Sequence, residues 1–394
     1  MTSTRALLRA GGIALTGAAV ALGSAATGGA HKPITSPFTF NEDVLPIVRT
    51  RCGGCHRPGG VAPMSLLTHA EAVPWGESMR AELMAGHMPP WRVDSSAERF
   101  RHVQPLTGRE LNVLLTWASG GTPAGDPVAG RDAEGVEAEW PLGAPDLELP
   151  MPAAITVPAQ TQEHVAEFVV RAGAGLRRFV RALDLRPGTP AIVRSATVSV
   201  RAPAADASLP AERLVMLWVP GDLPVPADEG AGFELPADSA LVVRIRYRKT
   251  WEHENQAMTD RSTLGLYFAD GPVAAIRRIA LDAIPTAGAT VATSTTLTEA
   301  VRALALYPDP GAGAAAVMVA AIRPDGTRET LIAFRPRPGW ARRYWFREPI
   351  VLPRGTRLEL QARAEEPLLP PGAVTPPPVE ARPIAVGINV VPES

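Results

Sequence analysis

Cys52-Gly53-Gly54-Cys55-His56 is the stretch on which the reading of this chain turns. Two thiols three residues apart can each add across one vinyl group of a haem. The histidine that follows is then placed to ligate the iron from one face, so C-x-x-C-H reads as a c-type haem attachment site. The 394 residues contain no other cysteine, which leaves nothing for a disulfide or a metal–thiolate cage. A lone C-x-x-C also fits a thioredoxin-like redox pair or half of a zinc site. The adjoining His56, the export signal and the helical pattern around the motif weigh against both.

Working outward, residues 31–126 read as a small helical unit. Asn41 can cap a short helix carrying Val44, Leu45 and Val48 toward the motif. Thr68 and Glu71 have capping-box spacing and open a second helical stretch, with Pro74 disturbing its first turns. Trp75, Met79 and Leu83 recur every four residues on one face, and Gly86 is a stop. Thr107 and Glu110 repeat the capping-box spacing ahead of Leu111, Leu114, Leu115 and Ala118, and Gly120-Gly121 ends that helix.

A second iron ligand must come from Met64, Met79, Met84, Met88, His69, His87 or His102. Met79 falls on the apolar helical stripe, where core packing is the simpler role. Met88 precedes two prolines that deny its segment a helix and hold it extended. It is therefore the first choice, ahead of His87 and Met64. His/Met ligation leaves no open site for oxygen and favours electron transfer.

At the N-terminus, Arg5 and Arg9 precede a small, apolar run from Gly11 to Ala26, and Gly28-Gly29-Ala30 offers a cleavage site. Residues 1–30 are expected to be a cleaved signal peptide, which places the mature chain in the periplasm. No later run is long enough to span a membrane. Net charge is −1, which argues against a nucleic-acid partner.

From residue 140 the pattern changes, after a polar linker at 127–139. Short β-rich segments (166–172, 178–185, 191–200, 213–218, 241–248 and 263–269) alternate with Pro/Gly turns. A second series follows at 301–307, 314–322, 329–334, 344–351, 357–362 and 384–391. Regular short strands predict two antiparallel sandwiches, residues 140–275 and 276–394. Arg244, Arg246 and Arg248 alternate on one strand and so share a face. A solvated face is the simpler reading.

Phe40-Asn41-Glu42-Asp43-Val44, the Cys52–His56 motif, Gly60-Val61-Ala62-Pro63, Met88-Pro89-Pro90-Trp91 and the run from Trp117 to Asp126 resemble the cytochrome c module of bacterial proteins related to copper type II, ascorbate-dependent monooxygenases. The resemblance implies Met88 as the distal iron ligand, with Pro63, Pro89 and Trp91 in the haem pocket. Pro187-Gly188, Trp218-Val219-Pro220-Gly221, the run from Asp260 to Ala269, Pro324-Asp325-Gly326 and the run from Leu352 to Thr356 resemble landmarks of the two-domain, peptidylglycine-hydroxylase-type monooxygenase fold.

That family holds two coppers with five histidines and one methionine. Here only His164 and His253 follow residue 126. Arg194-Ser195 stands where the family has a His-His pair, Arg246-Tyr247 where it has His-Tyr, and Asp309-Pro310-Gly311 where it has His-x-His. No methionine follows Met318. A guanidinium repels a cation, so no copper is expected. Arg194 and Arg246 would bring two positive charges to one cleft, with pairing to a carboxylate as the default.

The expected architecture is multidomain: a small all-α, class I-like cytochrome c domain followed by two antiparallel, jelly-roll-like β-sandwiches. The expected function is an exported monohaem c-type cytochrome with one covalent haem c, transferring electrons. Its copper-free β module would serve as scaffold or docking surface for redox partner proteins or for a larger periplasmic or membrane-associated complex. A haem-linked copper oxidoreductase and a purely structural haem subunit are the alternatives.

Overall fold

The computed structural model describes residues 35–90, 93, 97–103, 105–127, 140–171, 176–203, 212–284, 290–310, 315–337, 339–364 and 383–393. The signal peptide, Trp91 and all but the first residue of the linker lie outside them.

Strand dominates. Among the described residues the first β module contains β1 (Leu147–Pro150), β2 (Ile155–Val157), β3 (Glu163–Arg171), β4 (Arg178–Arg186), β5 (Val193–Arg201), β6 (Arg213–Trp218), β7 (Ala231–Leu235), β8 (Ala240–Arg248), β9 (Met258–Asp260), β10 (Thr263–Phe268) and β11 (Ala274–Ala275). One sheet has the order β1-β10-β4-β7-β11, another β3-β8-β5-β6, and β2 pairs with β9. The second module contains β12 (Arg277–Ala283), β13 (Thr290–Thr296), β14 (Val301–Pro308), β15 (Ala315–Ile322), β16 (Arg328–Phe334), β17 (Tyr344–Leu352), β18 (Arg357–Ala364) and β19 (Ile384–Pro392). Its sheets are β12-β19-β14-β17 and β13-β18-β15-β16.

Each module encloses an apolar core. Val198, Val243, Leu264 and Leu266 are buried in the first, and Val319, Leu331, Leu358 and Val386 in the second. The modules are not separate bodies. Leu304, Ala305, Trp345 and Val391 of the second pack into the core of the first.

The helices are short: α1 (Leu45–Arg51), α2 (His69–Ala72), α3 (Gly76–Met84) and α4 (Gly108–Ser119). Both capping boxes form, Thr68 with Glu71 and Thr107 with Glu110, satisfying N–H groups that a helix start otherwise leaves open. Phe40, Val44, Val48, Leu114 and Trp117 bury a small cluster.

The expectation of a self-contained all-α cytochrome c domain ahead of the sandwiches is corrected here. Only α3 and α4 reach eight residues among the described helices. The segment between them belongs to the second β module instead. Val93, Ala97, Phe100 and Val103 are buried in that module's core. Val93 bridges Phe334 and Phe100 bridges Phe346 as antiparallel pairs. The physical reason is area: the small helical cluster already buries Phe40 and Trp117, and the larger apolar core of the sandwich takes Phe100 and its neighbours.

Candidate functional site

Cys52 ends α1, and its N–H and that of Gly53 both donate to the Val48 carbonyl, at 2.9 and 2.7 Å. The chain then coils back, with Cys55 and His56 N–H both donating to the Cys52 carbonyl at 3.1 and 2.9 Å. This turn sets Cys52, Cys55 and His56 along one coil of backbone, with the two thiols close enough for Cys55 to act on Cys52. Gly60 is required beside it, because a Cβ there would collide with the Cys55 carbonyl oxygen. Cys52 packs with Met64, Leu67 and Met79 against the helical cluster.

Burial pushes the Cys52 thiol up to about 12, with Cys55 adding to it. Burial pushes Cys55 up to about 11, opposed by Arg194 and Arg57. Both thiols stay protonated near neutral pH, and they are unpaired. Thiolate nucleophiles and thiolate metal ligands need the opposite shift. Burial lowers the pKa of His56, against a loose backbone contact to Met64. The imidazole is therefore neutral, the form with a lone pair to give a metal. Its Nδ1 is buried without a hydrogen-bond partner.

The first β module closes over this turn. Arg194 Nη1 donates to the Val61 carbonyl at 2.7 Å. Cys55 Sγ lies 3.5 Å from the Pro220 carbonyl oxygen, and a Cβ on Gly54 would stand 3.2 Å from Gly221 Cα. Arg194 sits where the β5–β8 register shifts, between Val193 and Ser195. A bulge of this kind re-aims a side chain, here toward the attachment loop. Burial and repulsion from Arg248 lower its pKa to about 10, so it remains a cation.

The other predicted residues are placed less centrally. Met88 is 37% exposed and lies outside the cluster that holds Cys52 and Met64. Its N–H donates weakly to the Glu82 carbonyl at 3.4 Å, while Arg337 of the second module holds the His87 carbonyl at 2.9 Å. Pro63 and Pro89 are half-buried. His69 is occupied, with Nε2 2.8 Å from the Thr122 carbonyl oxygen and its ring against Phe40 and Trp117. Met84 is exposed. His87 is bound to Glu82 at 3.1 Å.

Arg246 and Arg194 do share one face, and Glu163 lies on it. Arg246 pairs with Glu163 at 2.8 Å. That contact leads in holding the Glu163 carboxyl below its ordinary range, with Arg248 and Arg194 contributing. Arg244 pairs with Glu167 and Glu212, each at 2.8 Å. The arginine row on β8 is thus a ladder of cross-strand ion pairs rather than an open basic patch.

Among the described residues, no group of three or more His, Cys, Asp or Glu could hold a metal ion. The expectation of a metal-binding chain with a helical cytochrome c domain built around iron is corrected accordingly. Among the described residues, neither that domain nor a site made from protein ligands alone is present. No helix among the described residues is long and apolar enough to cross a membrane.

No family model matches the chain, and no curated protein does. Among solved structures, the major capsid protein P2 of bacteriophage PM2 aligns at 11% identity and a TM-score of 0.27, covering 63% of this chain and 98% of that one. The STIV major capsid protein aligns at 8% and 0.28, covering 62% and 96%. The PBSX exported protein XepA aligns at 10% and 0.19, covering 62% and 86%. Superpositions this loose carry no argument about fold or function.

The docking of Pro220, Gly221 and Arg194 onto the attachment loop had no signal in the sequence. The contacts join positions more than 130 residues apart, and nothing local encodes them.

Proposed function

We propose that Cys52 and Cys55 carry one covalent haem c with His56 as its proximal ligand, and that the exported chain passes single electrons between redox partner proteins. A porphyrin brings four ring nitrogens of its own. Its iron therefore needs at most two protein ligands, fewer than a bare ion. When bound, the group supplies a one-electron ferric/ferrous couple. The observation that carries the reading is the single turn holding two unpaired, protonated thiols beside a neutral histidine with an orphaned ring nitrogen.

In this reading the chain's own residues hold the group and shield it. Pro220, Gly221 and Arg194 keep bulk water from the Cys55 side, which makes the first β module a cover as well as a scaffold. Met88 is proposed as the second ligand, on its Pro-rich segment and on the resemblance to the monooxygenase-linked haem modules. Met64, in the same cluster as Cys52, is its competitor. The resemblance also supports a β module without copper that serves as scaffold or docking surface for partners.

The test is export in a host that attaches haem c, followed by intact mass and a reduced-minus-oxidised spectrum. The expected result is one haem adduct, lost in the Cys52→Ala, Cys55→Ala double variant. A mature chain without the adduct would sink the reading. Met88→Ala should remove the weak sulfur-to-iron absorption band. If Met64→Ala removes it and Met88→Ala does not, the assignment passes to Met64.

A further inference from the structure

Strand β3 (Glu163–Arg171) forms one edge of the β3-β8-β5-β6 sheet. It pairs with β8 over all 9 residues without a register shift. Among the described residues it is the longest edge strand paired in that way. The edge strands β6, β16 and β17 each carry a register shift, and β12 and β13 have 7 residues each. No backbone group of β3 bonds to anything but β8 among the described residues. An open edge of this kind is a template for a further strand, and proteins ordinarily blunt one with proline, lysine, a bulge or shortness. β3 has none of these.

Glu163, Val165, Glu167, Val169 and Arg171 alternate along β3, so they share its outer face, and all five are exposed. Val165 is 63% and Val169 44% exposed, unusual for large apolar side chains. Arg171 makes no ion pair among the described residues. This row matches its own reverse. Turned end for end about Glu167, it sets Glu163 opposite Arg171 and Val165 opposite Val169, each pair occurring twice. Glu167 alone meets itself, and its charge is already engaged by Arg244 at 2.8 Å and Arg201 at 3.7 Å. The Glu163 carboxylate, bound to Arg246 at 2.8 Å, has lone pairs left for a second guanidinium. Other registers fit less well. An axis at Val165 sets Glu163 against Glu167, one at Ala166 or Phe168 sets charge against valine, and one at Val169 leaves Glu163 and Val165 unmatched.

We propose that β3 is a docking edge for a second copy of this chain, the two strands pairing antiparallel about a two-fold axis at Glu167. Main-chain hydrogen bonds along the open edge supply the attachment. The valine pairs and the two Glu163–Arg171 pairs set the register, and the two-fold closes the assembly at a dimer. The inference stands independently of the haem.

Sedimentation velocity on the full-length mature chain, over a concentration series into the high micromolar range, tests it. The expected result is a reversible monomer–dimer equilibrium. Hydrogen exchange within residues 163–171 should slow as the dimer fills. Arg171→Glu sets like charges opposite Glu163, and Val165→Lys puts a charge on the apolar pair; each should weaken dimerisation at least about tenfold. Both positions are exposed, so either variant keeps the test open if the other misfolds. A chain that stays monomeric throughout, a dimer of unchanged affinity in both variants, or protection that rises elsewhere and not in β3 overturns the proposal.

Discussion

Arg194 Nη1 donates to the Val61 carbonyl at 2.7 Å, tying the first β module to the loop that follows Cys55 and His56. The contact links two parts of the chain that the sequence presents as independent. It also holds a cation beside Cys55, where it acts on the thiol.

If the turn carries an iron couple, this cation favours the reduced state. Arg194→Met should lower the reduction potential, and Arg194→Lys should restore most of it. A neighbouring unit charge at an effective dielectric of about 20 should shift such a couple by on the order of tens of millivolts. Redox titration of the three proteins measures it. Equal potentials would show that the arginine only closes the interface.

Phe100 is fully buried and stacks on Phe346 of β17 at 5.2 Å, with Tyr344 at 5.8 Å. Although it lies between helices α3 and α4, its packing partners belong to the second β module. Phe100→Ala should cost about 3–5 kcal/mol. Hydrogen exchange should speed up first in β16 and β17, not in the helical cluster. Loosening confined to α1 and α4 would contradict the assignment of this segment.

Local signals in the sequence were legible where the physics is local. Thr107 accepts from the Glu110 N–H at 3.1 Å, and Glu110 accepts from the Thr107 N–H at 2.7 Å, the reciprocal pair their spacing announces. The segment read as β from Arg213 to Trp218 is β6, because its apolar run is bounded by turn residues. The turn at Cys52 follows from its own hydrogen bonds. Strand β13 was missed: Thr290–Thr296 is mostly threonine, and half its side chains face water. The role of residues 93–103 was missed for a different reason. An aromatic residue's partners on a distant sheet leave no periodic trace. The same holds for Arg194, whose bulge depends on how β5 pairs with β8.

The helix caps give a direct test of that local legibility. Thr107→Ala removes the acceptor for the Glu110 N–H at the start of α4. It should destabilise the chain by about 1 kcal/mol, read as a lower denaturation midpoint with an unchanged slope. Thr107→Ser should recover most of the loss. A neutral Thr107→Ala would mean that packing of Trp117 alone holds the helix.

Asp184 gives the chain a pH dependence of defined sign. Burial is the main cause that raises its carboxyl from an ordinary 3.8 to about 7, and Asp222 adds to it, against the Leu185 N–H and the Trp218 indole. Arg181 and Arg343 line one cavity with Asp184, and Tyr267 also feels its charge. Between pH 3.8 and about 7 the folded chain holds this proton more tightly than the unfolded chain does. Stability from this group is therefore fullest below that window and declines as the pH rises through it. Asp184→Asn keeps the oxygen that accepts from Leu185 and removes the charge. It should flatten the decline and stabilise the chain at pH 8 by up to about 4 kcal/mol. Asp222, also raised by burial, would keep a slope of the same sign in place. Melting curves at pH 5, 6.5 and 8 for both proteins decide the matter. Parallel curves would place the titration of Asp184 outside this range.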